Sequence, residues 1–456
     1  MEISKDKFLF GRVSGAFENN PHYSPDKLGV KHALNAKPEH PEEKLSFSIY
    51  RLYEVEISDE VHIEGGKPVM RPVSTMPKAG STVIVPPTEF IYASIGLNAN
   101  SEEGFNLGSI SSSISKQAEI PVVLDRRVIQ RHVFIGGTTG GGKSYSAKVL
   151  AEEVHRHNVP IIFFDTQDEF SGLTQGLNGT ILTPGTNYEV RLSSLEADEI
   201  TGLIPTVSNE LHVNILVNSF LHLRETNPNF GTTELLAEID RVAIDLEATK
   251  SARIIVPRVR TQLGSYNFLG TSFDWNTVLK PGAVININCR GLSRQRLQLI
   301  LAATLRELQT LRKGNRILPY VFVIDEAHLF VPQEEDSPCR QIITEGVRIG
   351  RHYGISFVLI TQSPIDIDKK VIRQCNTRLL FAIEPDQLIA LQGVKSDATE
   401  DMLNRLPKSP VGTCILSGTY ETVRRAVLIK IREMNTPNAD GGTTPNIFSE
   451  VNRNAR

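Results

Sequence analysis

Gly137-Thr138-Thr139-Gly140-Gly141-Gly142-Lys143-Ser144 is spaced as G-x-x-x-x-G-K-S, and each residue type in that run has chemistry to do. The glycines let successive backbone N–H groups turn inward as a nest for anions, and a helix starting at the end of the run adds its N-terminus. Lys143 is placed to reach the β- and γ-phosphates of ATP, and the Ser144 hydroxyl to complete a Mg2+ shell. Tyr145 follows at once, so 137–145 is read as one nucleotide-binding stretch.

A second acidic element is Tyr320-Val321-Phe322-Val323-Ile324-Asp325-Glu326-Ala327-His328. A carboxylate directly after a buried strand faces the phosphate site in a P-loop fold, where Asp325 can hold Mg2+. Glu326 can orient and deprotonate an attacking water. Asp165, at the end of the apolar run 161–164, would emerge at the carboxyl edge of the sheet and polarise a water or couple to the metal; Glu169 ranks below it. Gln362 ends another apolar strand and can bond the γ-phosphate or its water. Arg348 and Arg351 share one helix face and are read as candidate fingers for a neighbouring copy's nucleotide, with Arg351 preferred. Asp-Glu-Ala-His invites comparison with two-lobed RNA helicases, but too little chain follows His328 for a second lobe. No H-E-x-x-H spacing surrounds His328, which argues against zinc.

These residues need a sheet to bring them together. Apolar runs at 132–136, 160–165, 283–288, 319–324, 355–361 and 378–383 alternate with helical patterns, which predicts an α/β fold with a mostly parallel sheet. The fold class expected is a RecA-like P-loop ATPase core with an N-terminal β-barrel and an inserted helical subdomain. The first part of the core is expected at 126–191, the helical insertion at 192–262 and the second part of the core at 263–432. Residues 1–125 read as a small barrel with strands near 45–50, 53–57 and 81–85 and a long loop over 16–43. The stretches 412–416 and 423–431 suggest an edge hairpin, and 433–456 an arm or disordered tail.

The chain has 456 residues, a formal charge of -3 and four cysteines without a C-x-x-C. That length calls for more than one domain, and the cysteine pattern points to a reduced compartment. Near-neutral charge argues against a protein coated in nucleic-acid-binding cations but leaves room for a local patch. No run is apolar enough to span a membrane, and the N-terminus lacks an apolar leader, so a cytoplasmic location is expected.

Taken in order, Gly137 to Ser144, Asp165 to Phe170, Asp325-Glu326-Ala327-His328, Gly350-Arg351 and Thr361-Gln362 resemble the HerA-type hexameric DNA translocases of the FtsK and HerA group. The resemblance implies a ring of six that moves along duplex DNA by ATP hydrolysis, with an N-terminal barrel docking a partner. It implies roles for Lys143, Asp325, Glu326, Gln362 and Arg351 as given above, and puts Arg131 near a neighbour's nucleotide. Gly140-Gly141-Gly142 departs from the more usual Gly-Ser-Gly or Gly-Ala-Gly. Members of the family work with a nuclease in DNA-end processing, or with a nuclease or sirtuin-like NAD-consuming effector in antiphage defence, and the defence branch is the expectation here. The alternatives are a ring that gates a partner effector with DNA incidental, and a ring that moves polypeptide.

Overall fold

The computed structural model describes residues 2–4, 6–19, 50–78, 80–97, 102–110, 119–385, 387, 397–419 and 422–437. They form two compact units, Met1–Ile95 and Gly96–Arg456.

In the smaller unit, β1 (Glu2–Ser4), β2 (Lys7–Asn19), β3 (Tyr50–Glu64) and β4 (Lys67–Arg71) form an antiparallel sheet in sequence order. A helix, α1 (Thr88–Ile95), packs on β4, and the rings of Phe8 and Phe90 meet at 5.8 Å. Buried Glu60 accepts bonds from Lys7 Nζ at 2.6 Å and Ser74 Oγ at 2.9 Å, and its Oε1 lies 2.7 Å from His62 Nε2. Three expectations change. Residues 16–19 finish β2 rather than opening a loop, 81–85 are irregular chain, and the rest of the expected barrel and loop, 20–49, lies outside the described residues.

The larger unit is built on an eleven-stranded sheet. Its outer strands at one side are β5 (Phe105–Ile110) and β6 (Ile120–Leu124). Its parallel heart contains β7 (Val133–Gly136), β8 (Ile161–Asp165) and β9 (Thr180–Leu182). Beyond β10 (Val190–Arg191) and β11 (Leu269–Gly270), the sheet takes β12 (Val284–Asn288), β13 (Tyr320–Ile324), β14 (Ile355–Thr361), β15 (Thr377–Leu380), β16 (Thr413–Gly418) and β17 (Val427–Ile431). The order is β6-β5-β17-β16-β15-β7-β14-β13-β8-β12-β9, antiparallel from β6 to β15 and parallel from there on. Every residue of β7, β8, β13 and β14 is buried, as continuous apolar strands covered on both faces must be.

Two boundaries therefore move. The boundary expected near 125 falls at 95/96, because β5 pairs with β17 through Lys430 opposite Ser109. For the same reason the hairpin β16–β17 is internal, not an edge.

The register fixes where the loops end. Gly136 lies opposite Thr361, Leu359 opposite Ile324, and Ile324 opposite Phe164. The chain leaving β7, β14, β13 and β8 thus emerges side by side at one edge of the sheet.

Helices follow the strands: α2 (Arg127–Gln130), α3 (Lys143–Arg156), α4 (Ser171–Gly176), then the insertion α5 (Ala197–Gly202), α6 (Glu210–Thr226), α7 (Thr232–Asp245) and α8 (Thr249–Leu263). The insertion leaves and returns through β10 and β11, which pair with each other. Arg306 grips it with a two-pronged bond to Glu199 at 2.6 and 2.7 Å. The chain continues with α9 (Trp275–Val278), α10 (Arg294–Lys313), α11 (Pro338–Tyr353), α12 (Lys369–Gln374) and α13 (Glu400–Arg405). Ser337 caps α11 by accepting from Cys339 N, Pro338 suits its first turn, and left-handed Gly354 ends it. Among the described residues no helix is long and apolar enough to cross a membrane.

After β17 the chain runs as a strap along α3. Arg432 reaches Glu152 at 2.8 Å and Glu153 at 2.9 Å, Thr436 N donates to Glu152 at 2.7 Å, and Met434 N donates to the Tyr145 hydroxyl at 2.8 Å. Residues 433–437 of the expected tail belong to this strap, and 438–456 lie outside the described residues.

Candidate nucleotide-binding site

The loop after β7 is held from three sides. Gly137 N donates to Thr361 O at 3.3 Å, Thr138 N to Ala382 O at 2.7 Å, and Gly412 N to Gly141 O at 3.1 Å. Gly142, immediately before α3, is left-handed with φ 110°, and a Cβ there would meet Gly412 Cα at 3.2 Å. Backbone shape and close approach both require glycine at that position. The amides of Lys143, Ser144 and Tyr145 donate to no acceptor among the described residues, as expected of a helix start with room for an anion. Lys143 Nζ rests on Thr138 O at 2.8 Å, and burial lowers its pKa against the opposing pull of Glu326, Glu169 and Asp325.

Opposite the loop, Asp325 follows β13 and accepts from the Thr166 hydroxyl at 3.0 Å. Burial pushes its carboxyl well above the ordinary range, and the charges of Glu326, Glu169 and Asp165 act in the same direction. Glu326 is left-handed at φ 50°, ψ 49°, a costly conformation for a residue with a Cβ. Its Oε2 is buried without a hydrogen bond, 3.3 Å from His328 Nδ1 but not aligned with it. Burial raises the Glu326 pKa, Lys143 and the Gln362 amide oppose, and Glu169 adds to the rise. Gln362 Oε1 accepts from the Thr139 hydroxyl at 2.7 Å, so the end of β14 touches the loop itself.

Loose amides, a lysine, a free serine hydroxyl, a buried aspartate and a half-buried glutamate with one orphaned oxygen suit a triphosphate and a divalent cation. Among the described residues no cluster of three or more His, Cys, Asp or Glu is arranged to hold a metal alone. A cation here would rest on Ser144, Asp325 and the phosphates, the usual arrangement for magnesium.

Residues 105–308 match the family model described as "Helicase HerA, central domain". Over those residues the chain is similar to the central domain of HerA helicases. It is 22% identical over 387 residues to the DNA double-strand break repair helicase HerA of Sulfurisphaera tokodaii, covering 80% of this chain and 77% of that one. The HerA of Sulfolobus acidocaldarius is 24% identical over 370 residues, with 75% and 72% covered. Among solved structures, VirB4 of Thermoanaerobacter pseudethanolicus superposes with a TM-score of 0.56 at 17% identity, covering 74% of this chain and 98% of that one.

In this chain Gly137 to Tyr145, Asp325, Glu326 and Gln362 come together at the carboxyl edge of the sheet. Asp165 does not join them as a free group. Its oxygens accept from the amides of Gln167, Glu169 and Phe170 and from Asn286 Nδ2, at 2.9 to 3.2 Å. Asp165 therefore shapes the turn 166–170 rather than polarising a water. That turn carries Glu169 toward Lys143 and the acid pair, whose charges it perturbs. Glu169, ranked low from sequence, is the carboxylate of this run whose charge acts on Lys143, Asp325 and Glu326.

Arg131, Arg348 and Arg351 gather at the opposite edge. Helix α11 runs back from the acidic loop and ends beside the start of β14, while Arg131 precedes β7 and its carbonyl accepts from Asn376 N at 3.0 Å. Arg348 and Arg351 are exposed. Between these groups lies His132, which no sequence signal picked out. It is left-handed at φ 61°, buried, and accepts from Phe357 N at 3.0 Å through Nδ1. Burial and the Arg351 charge lower its pKa to about 4, against the Val347 carbonyl.

Proposed function

We propose that this chain is a ring-forming, ATP-hydrolysing motor that moves duplex DNA. Its relatives from Sulfurisphaera and Sulfolobus are named as DNA helicases, and the separation of phosphate-binding groups from candidate finger arginines onto opposite sheet edges carries the reading. A self-sufficient monomer has no use for Arg351 some ~24 Å of helix away from its own P-loop edge. A head-to-tail ring brings that edge to the next copy's phosphates.

Bound ATP and Mg2+ supply a phosphoanhydride whose terminal phosphoryl passes to water. Gly137 to Gly142 with Lys143, Ser144 and Tyr145 hold the phosphates and the base-proximal end, and Ser144 and Asp325 hold the metal. Glu326 accepts the proton of the attacking water. Gln362, tied to Thr139, senses whether the γ-phosphate is present. Arg351, with Arg348 and Arg131 beside it, stabilises the neighbour's transferring phosphoryl group. The N-terminal unit docks a partner effector, a nuclease or an NAD-consuming enzyme of antiphage defence, in the cytoplasm, and six copies close the ring.

Lys143→Ala and Glu326→Gln are expected to lower duplex-stimulated ATP hydrolysis by on the order of 10²- to 10³-fold. Parental hydrolysis in Glu326→Gln overturns its role as base. Hydrolysis that responds to the co-purified partner and not to duplex assigns the ring to gating that partner instead.

A further inference from the structure

The helix α8, Thr249-Lys250-Ser251-Ala252-Arg253-Ile254-Ile255-Val256-Pro257-Arg258-Val259-Arg260-Thr261-Gln262-Leu263, has four cations and no carboxylate. Ala252, Ile255, Val259 and Leu263 form its buried stripe, and this spacing turns Lys250, Arg253, Arg258 and Arg260 outward to exposed positions. Arg258 donates to the Thr206 carbonyl. Lys250, Arg253 and Arg260 make no ion pair or side-chain hydrogen bond among the described residues. Cations on the surrounding elements are mostly matched: Arg224 by Glu196, Arg241 by Glu238 and Asp245, and Arg306 by Glu199.

The neighbouring helix α7 has one spare carboxylate, Asp240, against the cations of this face. Glu234 caps its own helix through Gly231 N at 2.9 Å, and Glu238 and Asp245 are both held by Arg241, leaving only Asp240 of the helix exposed without a bond. Beyond the end of α8, the Arg296 guanidinium lies 5.4 Å over the Tyr266 ring and 3.5 Å from Ser265 O. Arg294 and Arg290, nearer the carboxyl edge of the sheet, are paired with Glu335 at 2.6 Å and Asp168 at 3.5 Å, so the unpaired cations end with Arg296 over its ring.

We propose that Lys250, Arg253 and Arg260 of α8, continued by Arg296, form a track for the phosphate backbone of duplex DNA, leading from the helical insertion to the ATP-hydrolysing edge. This rests on the reading of the chain as a DNA motor. From Lys250 to Arg260 the helix advances ~15 Å, while a duplex presents one phosphate for each ~1.7 Å of its axis, so three phosphate contacts fit along it. A chain with a formal charge of -3 repels DNA at long range, which makes a local face of one sign necessary for any contact. The face carries Ile254 and Pro257 between its cations, so it is backbone-reading and not base-reading.

The test is fluorescence-anisotropy titration of the full-length ring with a short blunt duplex over a range of NaCl, comparing the parent with the triple variant Lys250→Gln, Arg253→Gln, Arg260→Gln. The expected result is weaker binding with a log–log salt slope shallower by about 2.7, and unchanged ATP hydrolysis without DNA. The single variant Arg260→Gln, which loses about 0.9 of slope, serves if the triple variant melts early. A parental slope in both variants overturns the track and leaves the motor reading standing. A parent that binds no duplex overturns both. If polyglutamate binding or ring size changes in the variant while the duplex slope does not, the face belongs to an acidic protein or a second copy, and the track is overturned.

Discussion

Glu326 combines two costs in one residue: a left-handed backbone and a buried carboxylate oxygen, Oε2, without a hydrogen bond. Together they suit the proposed role of base, because withdrawal from water disfavours the charged form and makes the carboxylate more basic. The direction of its shift makes a pH prediction. A base must be ionised to act, and its pKa is raised, so kcat for ATP hydrolysis is expected to fall on acidification through a limb lying above the free-glutamate value of about 4.3. A pH–rate profile flat down to that value would remove Glu326 from the base role. Asp165 and Glu169 show the limit of spacing as a guide at this scale. Both stand in one acidic run, and only the turn that Asp165 itself builds decides which carboxylate faces Lys143.

The helix α11, the strand β14 and the strand β7 meet at His132, which ties the arginine edge to the strand that carries the P-loop. Its imidazole is neutral in the fold with a pKa of about 4 against an ordinary 6.5, so the unfolded chain binds the proton first. Stability from this group is complete above about 6.5 and is lost as pH falls toward 4, by ~3 kcal/mol in total. His132→Asn keeps a residue that tolerates positive φ and removes the titration. Its denaturant-derived stability is therefore expected to fall less than the parent's between pH 7 and pH 4; an equal fall would mean that His132 is not the titrating group. The parallel strands were readable as apolar runs, and Asp325, Glu326 and Gln362 were readable because each stands at the end of one. By contrast, β5 joins a partner strand more than 300 residues later, a pairing that no local pattern encodes. The helix α8 hid behind Pro257, which sits inside it.

At the scale of the whole molecule, the P-loop and the exposed arginines Arg348 and Arg351 stand on opposite edges of one sheet. If they meet across copies, a mixture of inactive Lys143→Ala and inactive Arg351→Ala chains is expected to recover about a quarter of the parental hydrolysis, from contacts that pair an intact P-loop with an intact arginine. No recovery on mixing and reassembly would place the functional arginine in the same chain as its P-loop. On the proposed ring, the same edge-to-edge division would govern how activity scales with assembly. A lone copy would have two half-sites and no whole one. An open arc of copies would have one working site fewer than it has copies, and only closure would make the two numbers equal. Dilution should therefore extinguish hydrolysis more steeply than in proportion to protein, so that specific activity counts contacts between chains and not the chains themselves.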